Sequence, residues 1–170
     1  IAAIKADGLI PAMLTGDAAG SANTVAKTVG IAEANVHAQL LPEDKLNALK
    51  EIRKQNGAVM FVGDGINDAP VLAGADVGAA MGSGADAAIE AADVVFMNSS
   101  VSAIPQAIKI ARATGSISMQ NVIFALAVKL LVLVLGFVGF ANIWAAVFAD
   151  TGVAMLCILN SMRILLKKFK

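Results

Sequence analysis

The chain has 170 residues, of which 58% are hydrophobic and only 15% are charged, and its mean hydropathy is +0.74. This composition is too apolar for an ordinary soluble domain, so part of the chain is expected to lie in lipid. The 13 basic residues balance the 13 acidic ones. No basic stripe with interleaved aromatic residues is present, which excludes nucleic acid as a predicted partner.

Residues 1–115 are predicted to form a compact α/β region. The predicted strands are 11–14, 36–40, 58–62, 76–81 and 94–97, and the predicted helices are 18–29, 42–56, 67–75 and 84–91. This alternation is typical of a layered fold with a largely parallel sheet. The single cysteine, Cys157, excludes an internal disulfide and favours a reducing compartment. Because the chain begins at Ile1 inside a predicted helix, it is expected to be the C-terminal part of a longer polypeptide.

Residues 116–166 are predicted to form two transmembrane helices, about 117–139 and 143–166. Each apolar run is as long as the roughly 20 residues that a spanning helix needs, and residues 139–142 leave room only for a tight hairpin. Basic residues flank the outer ends of both runs: Lys109, Arg112, Arg163, Lys167, Lys168 and Lys170. The positive-inside rule therefore predicts a multi-pass protein of the cell membrane. Its α/β region and a basic tail, residues 167–170, would lie in the cytoplasm.

Two polar loops directly follow predicted strands, at residues 15–17 and 63–68. Because the carboxyl ends of parallel strands meet at one edge of a sheet, both loops are expected to face one crevice. The second loop carries Asp64, Asn67 and Asp68 on a glycine turn. Carboxylate oxygen is the ligand that Mg²⁺ prefers, and glycines let the backbone approach an anion. The loop therefore predicts a magnesium and phosphoryl site.

Lys129 and Asp150 are charged residues inside the two apolar runs. Each would cost about 2.5 to 3.5 kcal/mol if it faced lipid alone, so such residues are usually paired and functional. Counted from the predicted turn, their depths differ by ~4.5 Å at a rise of ~1.5 Å per residue, which a lysine side chain can cross. The sequence predicts an ion pair near the bilayer midplane, or an acid that alternates between a cation and the lysine. A role in helix packing alone stays open.

Three motifs in this order and spacing resemble the C-terminal part of a P-type ATPase. They are Met13-Leu14-Thr15-Gly16-Asp17, Leu41-Pro42-Glu43-Asp44-Lys45 and the segment Gly63 to Pro70. The resemblance implies the second half of a phosphorylation domain with the haloacid-dehalogenase-like, Rossmann-like fold, followed by the last two membrane helices of that family. On this basis residues 1–115 are the C-terminal part of the cytosolic phosphorylation domain.

The resemblance also implies roles for individual residues. The implied catalytic set is Thr15, Lys45, Asp64, Asn67 and Asp68, and the implied phosphate- and nucleotide-binding set is Thr15, Gly16, Asp17 and Lys45. Asp64 would bind the cofactor Mg²⁺, Thr15 would hydrogen-bond the phosphoryl group of the substrate ATP, and Lys45 would offset its charge. Ala18 stands where the family usually has asparagine after the aspartate of this loop.

The membrane runs resemble those of the zinc, cadmium and lead exporters among the heavy-metal ATPases. Residues 121–129 and 150–152 carry this likeness, and the patterns Tyr-Asn and Met-Ser-Ser of the copper exporters are absent from the two runs. The resemblance implies that Asp150 of this chain matches the residue that binds Zn²⁺, Cd²⁺ or Pb²⁺ in the membrane part of the exporters. Lys129 would be its neighbouring counter-charge. A carboxylate also suits divalent zinc or cadmium better than monovalent copper.

The predicted function is a share of an ATP-driven pump that exports divalent heavy metals through an aspartyl phosphate. The segment Asp-Lys-Thr-Gly-Thr, whose aspartate would be phosphorylated, does not occur in the chain, so the remaining portions of the same polypeptide are expected partners, with the lipid bilayer. Three alternatives stay open. They are a membrane-tethered phosphatase of the haloacid-dehalogenase type, a copper-type or other P-type ATPase, and a membrane anchor without enzymatic activity.

Overall fold

The structure is a computed structural model that describes residues 1–140 and 142–167, apart from the side chain of Ile66. The chain divides into two compact units, Ile1–Pro105 and Gln106–Lys170. The boundary predicted at residues 115 and 116 falls inside a helix of the second unit.

The first unit alternates helices and short strands, as predicted. The helices are α1 (Ala2–Ala6), α2 (Ala19–Val29), α3 (Pro42–Asn56), α4 (Ala69–Gly74) and α5 (Asp86–Ala91). The strands are β1 (Met13–Leu14), β2 (Val36–His37), β3 (Met60–Gly63), β4 (Val77–Met81) and β5 (Val94–Phe96). Single 3₁₀ turns lie at Glu33–Asn35 and Ile66–Asp68.

Several elements are shorter than the sequence predicts, for local reasons. Strand β2 stops at His37 because Gln39 has a φ of 58°, outside the extended region. The helix predicted at 84–91 begins only at Asp86, because the amide of Gly84 donates to Met81 O in a tight turn. The helix predicted at 67–75 begins as the 3₁₀ turn Ile66–Asp68 and becomes α-helical at Ala69.

All strand pairs of the first unit are parallel, which confirms the predicted pairing. The strands form two sheets instead of one: β1 pairs with β2, and β3, β4 and β5 form a second sheet in that order. Among the described residues, β1 and β3 therefore each have a neighbouring strand on one side only. The two polar loops follow these two strands.

Local signals in the sequence explain how α3 places a lysine in its first turn. Pro42 occupies the start of the helix, and the amide of Leu41 donates to Asp44 Oδ2 at 3.2 Å. Acidic residues in the first turn and basic residues in the last turn complement the helix dipole. Gly57, with a φ of 89°, ends the helix.

Small residues bring the helices close to the second sheet. Leu72, Ala80 and Ala88 are fully buried at the centre of the core, and Phe61 packs against them. A Cβ on Gly78 of β4 would lie 2.5 Å from the backbone oxygen of Leu72. Because α4 rests directly on this glycine, the position leaves no room for a side chain.

The second unit contains two long apolar helical stretches. They comprise α6 (Ala103–Phe137), which begins within the first unit, and a stretch made of α7 (Ile143–Val147), a π-helical turn (Phe148–Gly152) and α8 (Val153–Leu166). By length and composition, Ala103–Phe137 and Ile143–Leu166 are each able to cross a membrane. Both predicted helices are confirmed, although the first begins at residue 103 instead of 117. Ala141 of the predicted turn and residues 168–170 of the predicted tail lie outside the described residues.

Replacing Gly78 with alanine tests the packing of the first unit. The new Cβ would meet backbone atoms of Leu72, so Gly78→Ala is expected to lower the free energy of unfolding by about 1–3 kcal/mol. The matched control is Gly20→Ala in α2, where a Cβ has nothing within 4 Å. The control is expected to change stability by less than ~1 kcal/mol, or to raise it. Urea unfolding of the purified chain in detergent measures both, and equal stability of the two variants would contradict the described packing.

Candidate active site and candidate cation site

The loop after β3 holds Asp64 by its backbone and leaves its carboxylate open. The amide of Ala85 donates to Asp64 O at 2.9 Å, and a Cβ on Gly84 would lie only 2.7 Å from that same oxygen. The side chain of Asp64 is exposed and has no hydrogen bond or ion pair within the part of the chain that the structure describes. An anchored loop with an unpaired carboxylate is able to offer oxygen to a hard cation.

Lys45 and Asp68 form an ion pair close to this loop. Lys45 Nζ lies 2.8 Å from Asp68 Oδ1, and the two side chains are 17% and 12% exposed. The backbone fixes the acid, because the Asp68 amide donates to Gly65 O at 3.0 Å. A Cβ on Gly63 would lie 2.8 Å from Asp68 Cβ, so glycine is required there. The pair connects the first turn of α3 with the loop that follows strand β3.

The loop after β1 is held by strand β2 and by its own hydrogen bonds. The Thr15 amide donates to His37 O at 2.9 Å, and the Leu40 amide donates to Thr15 O at 3.0 Å. The Thr15 hydroxyl donates to Asp17 Oδ2 at 2.9 Å and accepts from the Asp17 amide at 3.1 Å. This hydroxyl would have to leave Asp17 before it could donate to a phosphoryl oxygen.

The structure joins some predicted site residues and leaves others apart. Lys45 contacts Asp68, and Thr15 contacts Asp17. Asp64 and Asn67 are exposed, and their side chains make no hydrogen bond to the other predicted residues that the structure describes. A Cβ on Gly16 would lie 3.3 Å from Leu40 O, so this position too is crowded by backbone. The donor set at Asp64 is carboxylate oxygen, which fits Mg²⁺.

Lys129 and Asp150 pair within the second unit, which confirms the ion pair predicted from their depths. Lys129 Nζ lies 3.0 Å from Asp150 Oδ1, and the two side chains are 56% and 77% exposed on this helix pair. They line an open cleft of about 590 Å³ together with apolar side chains and Asn142. The charges are thus held against each other and remain accessible from the cleft.

Asp150 lies in the π-helical turn, at the centre of Phe148–Gly152. A Cβ on Gly152 would lie 2.7 Å from Cδ2 of the Phe148 ring, so the ring packs directly on the glycine. Single π turns inside α-helices are rare and occur frequently at functional sites. The sequence did not predict this turn.

One carboxylate does not complete a metal site. Within residues 1–140 and 142–167, no group of three or more histidine, cysteine, aspartate or glutamate residues is placed to hold a metal ion. Zinc sites take about four ligands. Asp150 is therefore able to supply one ligand of such a site.

A second polar cluster joins the two helices of the second unit, and the sequence analysis did not single it out. We call it the amide cluster; it consists of Asn121, Cys157, Asn160 and Ser161. The available signal was the presence of two asparagines and a serine inside runs of apolar residues. Such residues in membrane helices commonly hydrogen-bond across to a neighbouring helix.

Known proteins are similar to this chain in sequence and in fold. Residues 1–76 match the family of haloacid dehalogenase-like hydrolases. The cadmium, zinc and cobalt-transporting ATPase of Bacillus subtilis is 48% identical over 163 residues, which are 94% of this chain and 23% of that protein. The zinc-transporting ATPase of Synechocystis is 52% identical over 155 residues, 89% of this chain and 21% of that protein. The chain is a homologue of the heavy-metal P-type ATPases.

A solved structure agrees with these relatives. A zinc-transporting PIB-type ATPase in its E2.Pi state matches with a TM-score of 0.91 and 39% identity, over 97% of this chain and 27% of that one. The chain therefore spans about a quarter of the length of the heavy-metal ATPases it matches. Its fold is the predicted one: part of a haloacid-dehalogenase-like domain of parallel strands, followed by two long apolar helices.

Replacing Lys45 tests the ion pair of the candidate active site. Lys45→Met leaves the carboxylate of Asp68 poorly exposed and without its partner, so the free energy of unfolding is expected to fall by about 1–3 kcal/mol. Lys50→Met is the matched control, because Lys50 is an exposed lysine of the same helix. Chemical unfolding of the chain in detergent measures both variants. Equal stabilities would show that the Lys45–Asp68 contact contributes nothing to the fold.

Proposed function

We propose that this chain is part of an ATP-driven pump that exports divalent heavy metals through an aspartyl-phosphate intermediate. The observation that carries the proposal is the presence in one chain of two sites. These are a loop cluster suited to a phosphoryl group and Mg²⁺, and an ion pair between two helices able to cross a membrane. A tethered phosphatase or a plain membrane anchor would give Lys129 and Asp150 no role beyond helix packing.

In the cytosolic site each residue would have a separate task. Asp64 would hold Mg²⁺, which when bound would neutralise part of the charge on the phosphoryl group of ATP. The Lys45 ammonium, already fixed by Asp68 at 2.8 Å, would add a second positive charge at a set position. Thr15 would donate its hydroxyl to a phosphoryl oxygen after leaving Asp17. Asn67 is exposed on the same loop as Asp64, and its side-chain amide would hydrogen-bond the same phosphoryl group. Because the loop backbones are anchored, the rearrangement would be confined to side chains such as that of Thr15.

The remaining polypeptide would complete the cytosolic domain. Strands β1 and β3 each lack a neighbour on one side among the described residues, and both end in a candidate site loop. A parallel strand placed between them would join the two sheets into one. If that strand carried the phosphorylated aspartate at its carboxyl end, the aspartate would lie beside Thr15 and Asp64.

In the membrane Asp150 would serve as one ligand of the transported Zn²⁺, Cd²⁺ or Pb²⁺, and the other ligands would come from the rest of the polypeptide. Lys129, 3.0 Å away, would take the place of the ion after its release, so that the carboxylate is never left alone in a low-dielectric site. The basic residues at the outer helix ends, among them Lys109 and Arg163, support a cytoplasmic location of the phosphorylation domain in a multi-pass cell-membrane protein. Residues 167–170 would form the basic cytosolic tail.

Asp64→Ala tests the cytosolic site in the longer protein that contains this chain. Loss of the carboxylate is expected to lower magnesium-dependent phosphoenzyme formation from ATP by about a hundredfold or more. Asp86→Ala is the matched control, because Asp86 is an exposed aspartate in the first turn of α5. Acid-stable incorporation of labelled phosphate measures the effect, and normal incorporation in Asp64→Ala would count decisively against the site.

Asp150→Asn tests the membrane site with a side chain of the same size. Hydrolysis of ATP is expected to lose its stimulation by zinc and cadmium, because the amide removes the anionic ligand. Phosphoenzyme formation from inorganic phosphate without added zinc serves as the control for an intact cytosolic domain. Zinc stimulation of normal size in Asp150→Asn would return the ion pair to a role in helix packing.

A further inference from the structure

The amide cluster ties α6 to α8 by a set of hydrogen bonds, and Arg163 Nη1 extends it by donating to Asn160 Oδ1 at 2.9 Å. Asn121 Nδ2 donates to Ser161 Oγ at 2.9 Å and to Cys157 O at 3.1 Å, and Asn121 Oδ1 accepts from Asn160 Nδ2 at 2.8 Å. The Ser161 hydroxyl donates to Cys157 O at 2.9 Å. Both hydrogens of the Asn121 amide and its oxygen are thus engaged with the facing helix.

These hydrogen bonds are directional, whereas the apolar packing between the two helices is not. Between the cluster and the ion pair, residues 122–128 of α6 and 153–156 of α8 are apolar, so packing along this stretch alone would tolerate small slips of one helix along the other. A polar group in hydrocarbon has no water to replace a lost partner. The hydrogen bonds therefore favour one register of the two helices over the neighbouring ones.

The spacing along the two helices links this cluster to the ion pair. Lys129 follows Asn121 by eight residues, ~12 Å along α6, and Asp150 precedes Cys157 by seven residues, ~10 Å along the antiparallel helix. The two distances agree within about one residue. A slip by one helical turn, ~5.4 Å, would break the bonds of Asn121 and would carry Lys129 away from the carboxylate by the same amount.

We propose that Asn121 and Asn160 are positioning residues for the Lys129–Asp150 pair. Their hydrogen bonds fix the register of the two helices. This register holds Lys129 opposite the carboxylate of Asp150, with which it must pair when the ion has left. The inference rests on the proposed function, since it assigns these amides a role in the ion cycle of that same site. Because the Asn121 amide is saturated by the facing helix, it acts through Lys129 and is not itself a metal ligand.

The test is a double-mutant cycle in the longer protein that contains this chain. The zinc concentration that gives half-maximal stimulation of ATP hydrolysis is measured for Asn121→Leu, for Lys129→Met and for the protein that carries both changes. Both single variants are expected to shift this concentration in the same direction by about tenfold. The double variant is expected to show no shift beyond that of Lys129→Met, because the amide acts through the lysine. Asn160→Leu is expected to behave like Asn121→Leu.

Two controls separate positioning from a loss of structure. Gln120→Leu makes the same replacement of an amide on the same helix. Within residues 1–140 and 142–167 the Gln120 side chain hydrogen-bonds only to Ser116 of its own helix, at 3.5 Å, so this variant is expected to leave zinc stimulation unchanged. Phosphoenzyme formation from inorganic phosphate reports whether each variant is folded.

The outcomes distinguish this inference from the function on which it rests. If Asn121→Leu leaves zinc stimulation unchanged, or if its effect adds to that of Lys129→Met, the positioning role is overturned while the pump proposal stands. If Lys129→Met itself changes nothing, the role of the ion pair in the cycle falls, and the positioning role falls with it.

Discussion

Two opposite charges, Lys129 and Asp150, must meet inside a pair of apolar helices, and much of the second unit follows from this requirement. Either charge alone would cost about 2.5 to 3.5 kcal/mol at the centre of a bilayer. The structure holds the two groups 3.0 Å apart. The acid is carried on a π-helical turn closed by Gly152 against Phe148. An open cleft of about 590 Å³ lies beside the pair.

The first unit is organised around charge in a different way. Its acid and base, Asp68 and Lys45, are nearly buried and joined directly, whereas Asp64 keeps its carboxylate exposed on a loop that the backbone fixes. Gly63 and Gly84 allow the close approach of the chain to Asp68 and Asp64, because a Cβ at either position would collide with these residues. The arrangement keeps the carboxylate of Asp64 open to solvent and the ammonium of Lys45 at a fixed place.

Local signals made much of the fold predictable. Pro42 and Gly57 bound α3 in the sequence as they do in the structure, and the apolar runs identified both long helices. The ion pair could be predicted because helical rise converts residue number into depth. The split into two sheets depends on which strands find partners, and the amide cluster depends on contacts between residues 36 to 40 positions apart. No short stretch of sequence encodes these two features.

The central claim is that chemistry at the cytosolic loops is coupled to the release of an ion from Asp150. The most direct measurement uses sealed membrane vesicles that contain the longer protein. ATP hydrolysis and zinc uptake are recorded together, with and without free zinc. We predict that hydrolysis rises when zinc is added and that uptake requires ATP. Hydrolysis at the same rate with zinc present and with zinc chelated, in folded protein, would contradict the account.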